Sequence, residues 1–408
     1  MIRRLPSLAA VLTAASLLLT ACGGGTDDKP TAHPVFAEPV GRQPFLALRQ
    51  TQKAGSATFT QTVTFVSKKG NAVQTSTGRV DFADSRGEGS LAWTVPDGFD
   101  EDAKDVILGT TPGRIRADPA GRIAVDTQTI HYRAESAAYW IRYGAADADP
   151  LNGVDSIRHL RGSEAAIGGT LLEAIGAAEA ASQQESPSGG RTYRASFALN
   201  TAWDLFPSDL TEELAAAWNQ NIKQPAVPLT LTVDAKGRIT RAEAELSGLL
   251  KGKDSVLADV TAIRAQLTLT GHGTSKPVMP TASDRVLDAA TAVTRTDEAK
   301  AGECVDFNAG LRNSRIVVRV PCATAHDGRI FAQSTPDDGG YPGAEAAADR
   351  ADEFCRRSHD RAPADWTDES VDPGRYWTTW STEHEWAELG KARATCYVVS
   401  QAQGTTAA

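Results

Sequence analysis

The fold is decided by the stretch Ala57-Thr58-Phe59-Thr60-Gln61-Thr62-Val63-Thr64-Phe65, in which every even position is Thr and the odd positions are mostly apolar. A period of two residues turns one side of an extended chain towards a core and the other towards water. The stretch therefore predicts a half-buried β-strand. The same alternation returns at Leu91–Val95, Tyr193–Leu199, Leu229–Val233 and Ile239–Leu246.

Helical patterns precede and separate these strands. Pro44–Lys53 reads as a first helix, and Ser163–Ser182 repeats apolar residues every three or four positions. A further helix is predicted over Leu210–Ile222, which follows Asp209, a residue type that caps helices. Near Gly237 the last two strands turn back as a hairpin, because glycine accepts the positive φ of a tight turn. Antiparallel strands packed on helices give an α+β fold.

The first 22 residues have the order of a bacterial lipoprotein signal. Arg3 and Arg4 precede the apolar run Leu5–Ala21, which is too short and too rich in small residues for a comfortable spanning helix. The run ends in Leu19-Thr20-Ala21-Cys22. This order resembles the lipobox, in which the cysteine takes a diacylglycerol and signal peptidase cleaves just before it.

We therefore expect residues 1–21 to be removed and Cys22 to be lipidated. Residues 22–41 then form a flexible tether, because they are rich in glycine and polar residues. The diacylglycerol on Cys22 would hold the protein on the outer face of the cell membrane. An ordinary secretory signal with an incidental cysteine is the alternative.

Four of the five cysteines remain for disulfides, which persist outside the cell: Cys304, Cys322, Cys355 and Cys396. No two of them form a Cys-x-x-Cys unit, so a zinc site is disfavoured and no metal is expected. Four cysteines allow three pairings. Cys304–Cys322 and Cys355–Cys396 are preferred because each pair flanks one plausible structural unit.

The cysteines also indicate a domain boundary, since they follow a stretch broken by Pro277 and Pro280. A short helix is predicted over Ala282–Asp297, between the two domains. The boundaries that we expect are a first domain over 42–273, a linker over 274–300, a second domain over 301–400 and a disordered tail over 401–408.

Composition excludes some function classes. The chain has 408 residues, of which 41% are hydrophobic, so it can bury a sizeable core. The 42 Lys and Arg against 51 Asp and Glu leave a net charge of −9. That sign is wrong for a protein that binds nucleic acid by neutralising phosphates.

The first domain resembles the LolA-like lipoprotein family of actinobacteria, of the LppX and LprG type. The resemblance rests on Tyr139-Trp140-Ile141-Arg142, Asp149-Pro150-Leu151, Thr192-Tyr193-Arg194-Ala195 and the hairpin from Pro228 to Arg241. It implies a curved antiparallel half-barrel closed over helices, with an apolar cavity that accepts lipid chains. The residues expected to line this cavity are Phe59, Val63, Phe65, Leu91, Trp93, Leu229 and Leu231.

The second domain resembles the septum-formation domain of actinobacterial envelope proteins. The resemblance rests on Gly302-Glu303-Cys304-Val305-Asp306, Val320-Pro321-Cys322, His326-Asp327 and Tyr341-Pro342-Gly343, followed by Cys355 and Cys396. It implies a smaller disulfide-bridged α+β domain, and only the family's name suggests a link to cell division. Our hypothesis is that this domain docks a partner in the cell envelope or at the division septum.

These observations favour a membrane-anchored carrier or sensor of an acyl-chain ligand, without enzymatic activity or cofactor. The alternative is a structural or interaction lipoprotein, because an apolar strand face fits a filled core as well as a hollow one. A secreted hydrolase using His326 with Asp327, or His359 with Asp360, is a third hypothesis. Neighbours in sequence do not share a helix face, so neither pair forms a base and its orienting acid from sequence alone.

Overall fold

The computed structural model describes residues 32–108, 120–134, 137–144, 171–206, 210, 214, 226–250, 256–307, 316–334, 340–383, 386 and 393–400. The predicted signal peptide, Cys22, the tether up to residue 31, the Asp149-Pro150-Leu151 motif and the tail over 401–408 lie outside these residues. The later part of the predicted tether is ordered, since Pro34–Ala37 and Val40–Arg42 are 3-10 turns and Val35 and Phe36 pack into the core. The predicted helix Leu210–Ile222 also lies outside them, apart from Leu210 and Leu214, which are helical.

The predicted strand over Ala57–Phe65 is confirmed, and its odd-numbered residues are buried. It belongs to a sheet of twelve strands within the described residues: β1 Ser56–Ser67, β2 Gly70–Asp81, β3 Arg86–Thr94, β4 Ala120–Val125, β5 Thr129–Ala134, β6 Trp140–Gly144, β7 Glu179–Glu185, β8 Arg191–Ala198, β9 Ala226–Val233, β10 Ile239–Glu245, β11 Val260–Thr270 and β12 Val286–Asp288. Their order is β12-β6-β5-β4-β3-β2-β1-β11-β10-β9-β8-β7, so the sheet is open, with β12 and β7 at its edges. Neighbours are antiparallel, except that β12 runs parallel to β6.

The predicted hairpin joins β9 and β10. Its turn is held by Asp234, whose Oδ1 accepts hydrogen bonds from the backbone N–H groups of Lys236 and Arg238, both at 2.9 Å. Gly237 has a φ of 74° in this turn, a value that favours glycine. The local sequence therefore specifies the hairpin.

The described helices pack on two different sheets, the large one and the second one described below. The described helices are α1 Gln43–Lys53, α2 Glu101–Leu108, α3 Leu171–Gly176, α4 Ala289–Ala292, α5 Ala344–His359 and α6 Ala364–Thr367. None of them is long and apolar enough to cross a membrane. Helix α1 is fixed to the sheet at both ends, because Tyr193 Oη donates to Gln43 Oε1 at 2.7 Å and the Ile239 N–H donates to Thr51 Oγ1 at 2.8 Å.

Two predicted helices are wrong in part. The pattern over Ser163–Ser182 gives only the short helix α3 among the described residues, and Glu179 begins strand β7. This Ala-rich segment pairs with β8, and that tertiary pairing overrides its local helix propensity. The segment Ala282–Asp297 is helical only in α4 and in a 3-10 turn at its end, because its Val and Leu residues pair in strands.

The second sheet has six strands in the described part of the chain: β13 Val293–Arg295, β14 Cys304–Asp306, β15 Ile316–Val320, β16 Gly328–Gln333, β17 Trp377–Trp380 and β18 Ala394–Val399, in the order β13-β15-β14-β16-β18-β17. Disulfides join Cys304 to Cys322 and Cys355 to Cys396, which is the preferred pairing. The second bond connects α5 to β18. Helix α5 is therefore covalently fixed to the sheet on which it packs.

The segment between the sheets is part of both. Its strand β12 extends the large sheet, and its strand β13 extends the small one. Nearby, Tyr139 Oη donates a hydrogen bond of 2.6 Å to Asp306 Oδ2. The Arg285 guanidinium lies 5.5 Å from the centre of the Tyr139 ring. Burial, and then the Asp306 carboxylate, raises the pKa of Tyr139 far above its ordinary value, so the phenol remains a donor.

We expect Tyr139→Phe to lower the free energy of unfolding by about 2 kcal/mol, because a hydrogen bond to a carboxylate contributes roughly 1.5–3 kcal/mol. Tyr143→Phe is the matched control. Tyr143 is equally buried, but its hydroxyl has no hydrogen-bond partner in the described structure. Urea unfolding of both variants tests the difference, and equal losses would show that the Tyr139 hydroxyl does not hold the junction.

Candidate ligand-binding face

Most of the predicted lining residues lie in two adjacent rows across the buried face of the large sheet. Residues paired in register on neighbouring strands point to the same face. The first row is Leu229, Ala244, Ala265, Val63, Gln74 and Trp93; the second row is Leu231, Ala242, Leu267, Gln61, Ser76 and Leu91. Each row crosses five strand spacings, or roughly 24 Å. Phe59 and Phe65 flank the rows on β1.

The two ends of these rows differ in accessibility. At the β9 end, Leu229 and Leu231 are 2% and 0% exposed. Helix α1 lies at this end. Leu231 pairs in register with Tyr193 on β8, and the Tyr193 hydroxyl donates to Gln43, the first residue of α1. At the β3 end, Leu91 is only partly buried, as is Gln74 on the adjacent β2. The accessible part of the face is therefore at β2 and β3.

Aromatic rings surround the accessible end. Phe65 is fully buried, and its ring centre lies 6.1 Å from that of Trp93 and 6.3 Å from that of Phe206. Trp93 itself is 8% exposed. Its indole Nε1 is buried and has no hydrogen-bond partner in the described part of the chain. A buried donor without an acceptor costs about 1–3 kcal/mol.

Polar side chains interrupt the apolar rows where β1 meets β2. Gln61 is 4% exposed, and its Oε1 accepts a hydrogen bond of 2.9 Å from the backbone N–H of Leu171, at the first residue of α3. The sequence could have indicated this residue, because Gln61 is the one clearly polar residue at the odd positions of Ala57–Phe65. Gln74 and Ser76 make no side-chain hydrogen bond to a described residue. Their amide and hydroxyl groups lie on the same face as the Trp93 indole.

The face combines apolar rows with polar groups at one end. The rows are apolar along most of their length, and at their accessible β3 end the burial of a ligand's hydrocarbon would contribute roughly 25 cal/mol per Å². An N–H donor and two uncommitted polar side chains lie at one end. Pockets that combine a mostly apolar lining with a few placed polar groups are typical of small-molecule sites.

The predicted pair of His326 with Asp327 does not form a base and its orienting acid. His326 Nε2 lies 3.1 Å from Glu369 Oε2, and its Nδ1 lies 2.7 Å from the Thr324 carbonyl oxygen. The neighbouring Asp327 instead accepts a hydrogen bond of 2.7 Å from the Phe307 N–H. His326 is therefore oriented by Glu369 rather than by Asp327.

Two further contacts bear on catalysis and metal binding in this domain. The ring centre of His359 lies 5.5 Å from that of Phe331 and 5.6 Å from that of Tyr376. Cys304 Sγ, a ring nitrogen of His326 and a carboxylate oxygen of Glu369 all lie within 4.8 Å of one another. The Cys304 sulfur, however, is bonded to Cys322. A disulfide sulfur is not the thiolate that a metal ion requires.

Comparisons with known proteins complete the description of the site. No protein-family model matches the sequence, and no curated protein is similar to it. Among solved structures, lipoprotein LppX of Mycobacterium tuberculosis is similar at 12% identity and a TM-score of 0.29, over 58% of this chain and 98% of its own. LprF from Mycobacterium bovis is similar at 12% identity and a TM-score of 0.30, over 60% of this chain and 97% of its own. The MucA/MucB complex of Pseudomonas aeruginosa has a chain similar at 8% identity and a TM-score of 0.23, over 88% of this chain and 94% of that one. At such TM-scores the similarity carries no functional inference, which must come from the residues of this chain.

Proposed function

We propose that this protein is an extracytoplasmic lipoprotein, anchored through Cys22, whose large sheet binds an acyl-chain lipid as a carrier or sensor. One observation carries the proposal. Trp93 Nε1 is a buried donor without a described acceptor, at the accessible end of an apolar face. A bound lipid with an ester or amide carbonyl supplies the acceptor that the indole lacks.

The size of the face agrees with such a ligand. Its rows are roughly 24 Å long, and one leaflet of a bilayer has a hydrocarbon depth of about 15 Å. An acyl chain would enter at the accessible β2–β3 end, and to follow a whole row it would have to displace the side chains that cover the β9 end, where Leu229 and Leu231 are buried. With its carbonyl at Trp93, the head group would be near Gln74 and Ser76, whose side chains supply further donors and acceptors.

The second domain serves, in this proposal, as the docking module for a protein of the cell envelope or the division septum. The order of its cysteines and flanking motifs supports that role. Its two disulfides suit an extracytoplasmic location. The competing function is that of a structural lipoprotein without a ligand, and the experiment below separates the two.

The test uses the chain from Gly23 to Ala408, expressed without its lipid anchor, because β12 and Asp306 tie both sheets together. Organic extraction and native mass spectrometry should show retained acyl-chain species. We expect Trp93→Phe to weaken binding of dansyl-labelled undecanoic acid about three- to tenfold, since it removes one hydrogen bond of roughly 0.5–1.5 kcal/mol and keeps a ring.

Trp140→Phe is the control for this measurement. Trp140 is similarly buried, at 7% exposure, but it lies next to Arg122 and Arg133. The Trp140→Phe variant should bind the dansyl acid as tightly as the wild type does. A protein that carries no lipid and ignores the dansyl acid is the structural lipoprotein. Equal binding by both tryptophan variants would place the ligand elsewhere.

A further inference from the structure

Helix α1 exposes a stripe of cationic and apolar residues. Its other side is committed to the core, where Gln43, Pro44, Ala47, Leu48 and Thr51 are buried. The exposed stripe consists of Arg42, just before the helix, and of Phe45, Arg49 and Lys53, and it includes the half-buried Leu46, which also packs against the core. Their spacing of three to four residues puts them on one side of the helix. The helix contains no acidic residue.

The cations of this stripe are not neutralised by a described carboxylate, although Arg49 Nη1 donates a hydrogen bond to Gln52 Oε1 at 3.4 Å. Arg42, Arg49 and Lys53 form no ion pair with any residue that the structure describes. The protein as a whole carries a charge of −9, so an unpaired cationic stripe is opposite in sign to the rest of the molecule. Phe45 adds a large apolar side chain that is 46% exposed. Cations combined with an exposed aromatic are typical of a helix that lies in a membrane interface.

The stripe lies close to the point where the chain enters the described structure. A groove of about 870 Å³ runs beside α1, and its lining includes His33, Pro34 and one acidic residue, Glu38, together with Leu46, Arg49 and Lys53. Cys22 and His33 are 11 residues apart in the sequence, so the covalent chain between them reaches at most roughly 40 Å. An anchor at Cys22 would therefore keep this groove within reach of the lipid head groups.

We propose that the stripe from Arg42 to Lys53 docks on the surface of an anionic phospholipid bilayer. This inference rests on the anchorage in the proposed function, but not on the bound ligand. The cations would meet anionic head groups, and Phe45 with Leu46 would enter the boundary between head groups and acyl chains. Because α1 also covers the β9 end of the two rows, docking would bring the helix that closes the ligand-binding face against the membrane.

The test measures binding of the unanchored chain from Gly23 to Ala408 to vesicles. We expect binding to phosphatidylglycerol vesicles, none to phosphatidylcholine vesicles, and a loss of binding as ionic strength rises. The triple variant R42Q/R49Q/K53Q should bind roughly 100-fold more weakly, from about fivefold for each cation. Phe45→Ala should weaken binding about fivefold through lost apolar burial.

The control triple is K68Q/R194Q/K276Q. These residues are exposed, lie outside α1 and form no described ion pair, and their replacement removes the same total charge. This variant should bind phosphatidylglycerol vesicles within about twofold of the wild type, since charge at a distance is screened. Equal losses in the two triples would show a general charge effect and overturn the docking site.

Dansyl-labelled undecanoic acid is titrated into the same samples, so docking and ligand binding are scored separately. A chain that binds the dansyl acid but no vesicle, or binds both vesicle types equally, overturns the docking proposal and leaves the proposed function intact. A chain that binds phosphatidylglycerol vesicles but takes up no dansyl acid overturns the proposed function and leaves the docking proposal intact. A protein partner for the stripe would appear as the first of these outcomes.

Discussion

Replacing Cys355 and Cys396 together by Ala will lower the free energy of unfolding by about 4 kcal/mol. The disulfide closes a loop whose ends are 41 residues apart, and the chain-entropy model gives about 4 kcal/mol for a loop of that length. Both cysteines are fully buried, at 0% exposure, next to Phe331 and Val398. Urea unfolding followed by tryptophan fluorescence measures the loss.

The other disulfide is the internal control. Cys304 and Cys322 are 18 residues apart, for which the same model gives about 3 kcal/mol, and Cys322 is exposed. The double variant at Cys304 and Cys322 should therefore be more stable than the one at Cys355 and Cys396. The reverse order, or a loss below about 1 kcal/mol for Cys355 and Cys396, would contradict the role given to the bond between α5 and β18.

Gly78→Ala will lower the free energy of unfolding by about 3 kcal/mol, the upper part of the range for overpacking. Gly78 lies on β2, opposite Phe59 of β1 and Gly89 of β3. A Cβ atom there would overlap the Glu88 carbonyl oxygen. It would also lie only 2.7 Å from Gly89 Cα and 2.8 Å from Phe59 Cε1. Two of these atoms are backbone, so strands β2 and β3 would have to separate.

Gly98→Ala is the comparison for this variant. A Cβ at Gly98 would have the Lys69 carbonyl oxygen as its nearest neighbour, at 3.8 Å, which is an ordinary contact. Its stability should stay within about 0.5 kcal/mol of the wild type. Thermal unfolding of both variants gives the difference. Tolerance of alanine at Gly78 would mean that β2 and β3 do not approach each other so closely.

Local patterns in the sequence predicted the strands that have one buried and one exposed face. β1 and the hairpin of β9 and β10 follow from a period of two and from the turn at Gly237. The edge strand β7 could not be predicted from its local sequence, because its residues form a strand only through pairing with β8. Strand β12 was missed for the same reason, since a three-residue strand carries too little periodicity to be recognised.

The candidate site was predictable in kind but not in arrangement. The period of two assigned Trp93, Val63 and Leu229 to buried faces, yet only the strand register puts them in one row. The sequence also gave no indication that α1 covers Leu231 while Leu91 stays accessible. An indole N–H without an acceptor is a property of the packed structure, so no pattern in the sequence marks Trp93 as special.

The parallel pairing of β12 with β6 has a consequence for solubility. Strand β6 carries Trp140, Ile141 and Tyr143, and without β12 it would present a free edge rich in aromatic and aliphatic side chains. Such an edge is a template on which a second chain adds its own strand. A chain cut at Gly273, where the first domain was expected to end, would lose this cover. The continuous polypeptide into the second domain thus also guards the large sheet against edge-to-edge polymerisation.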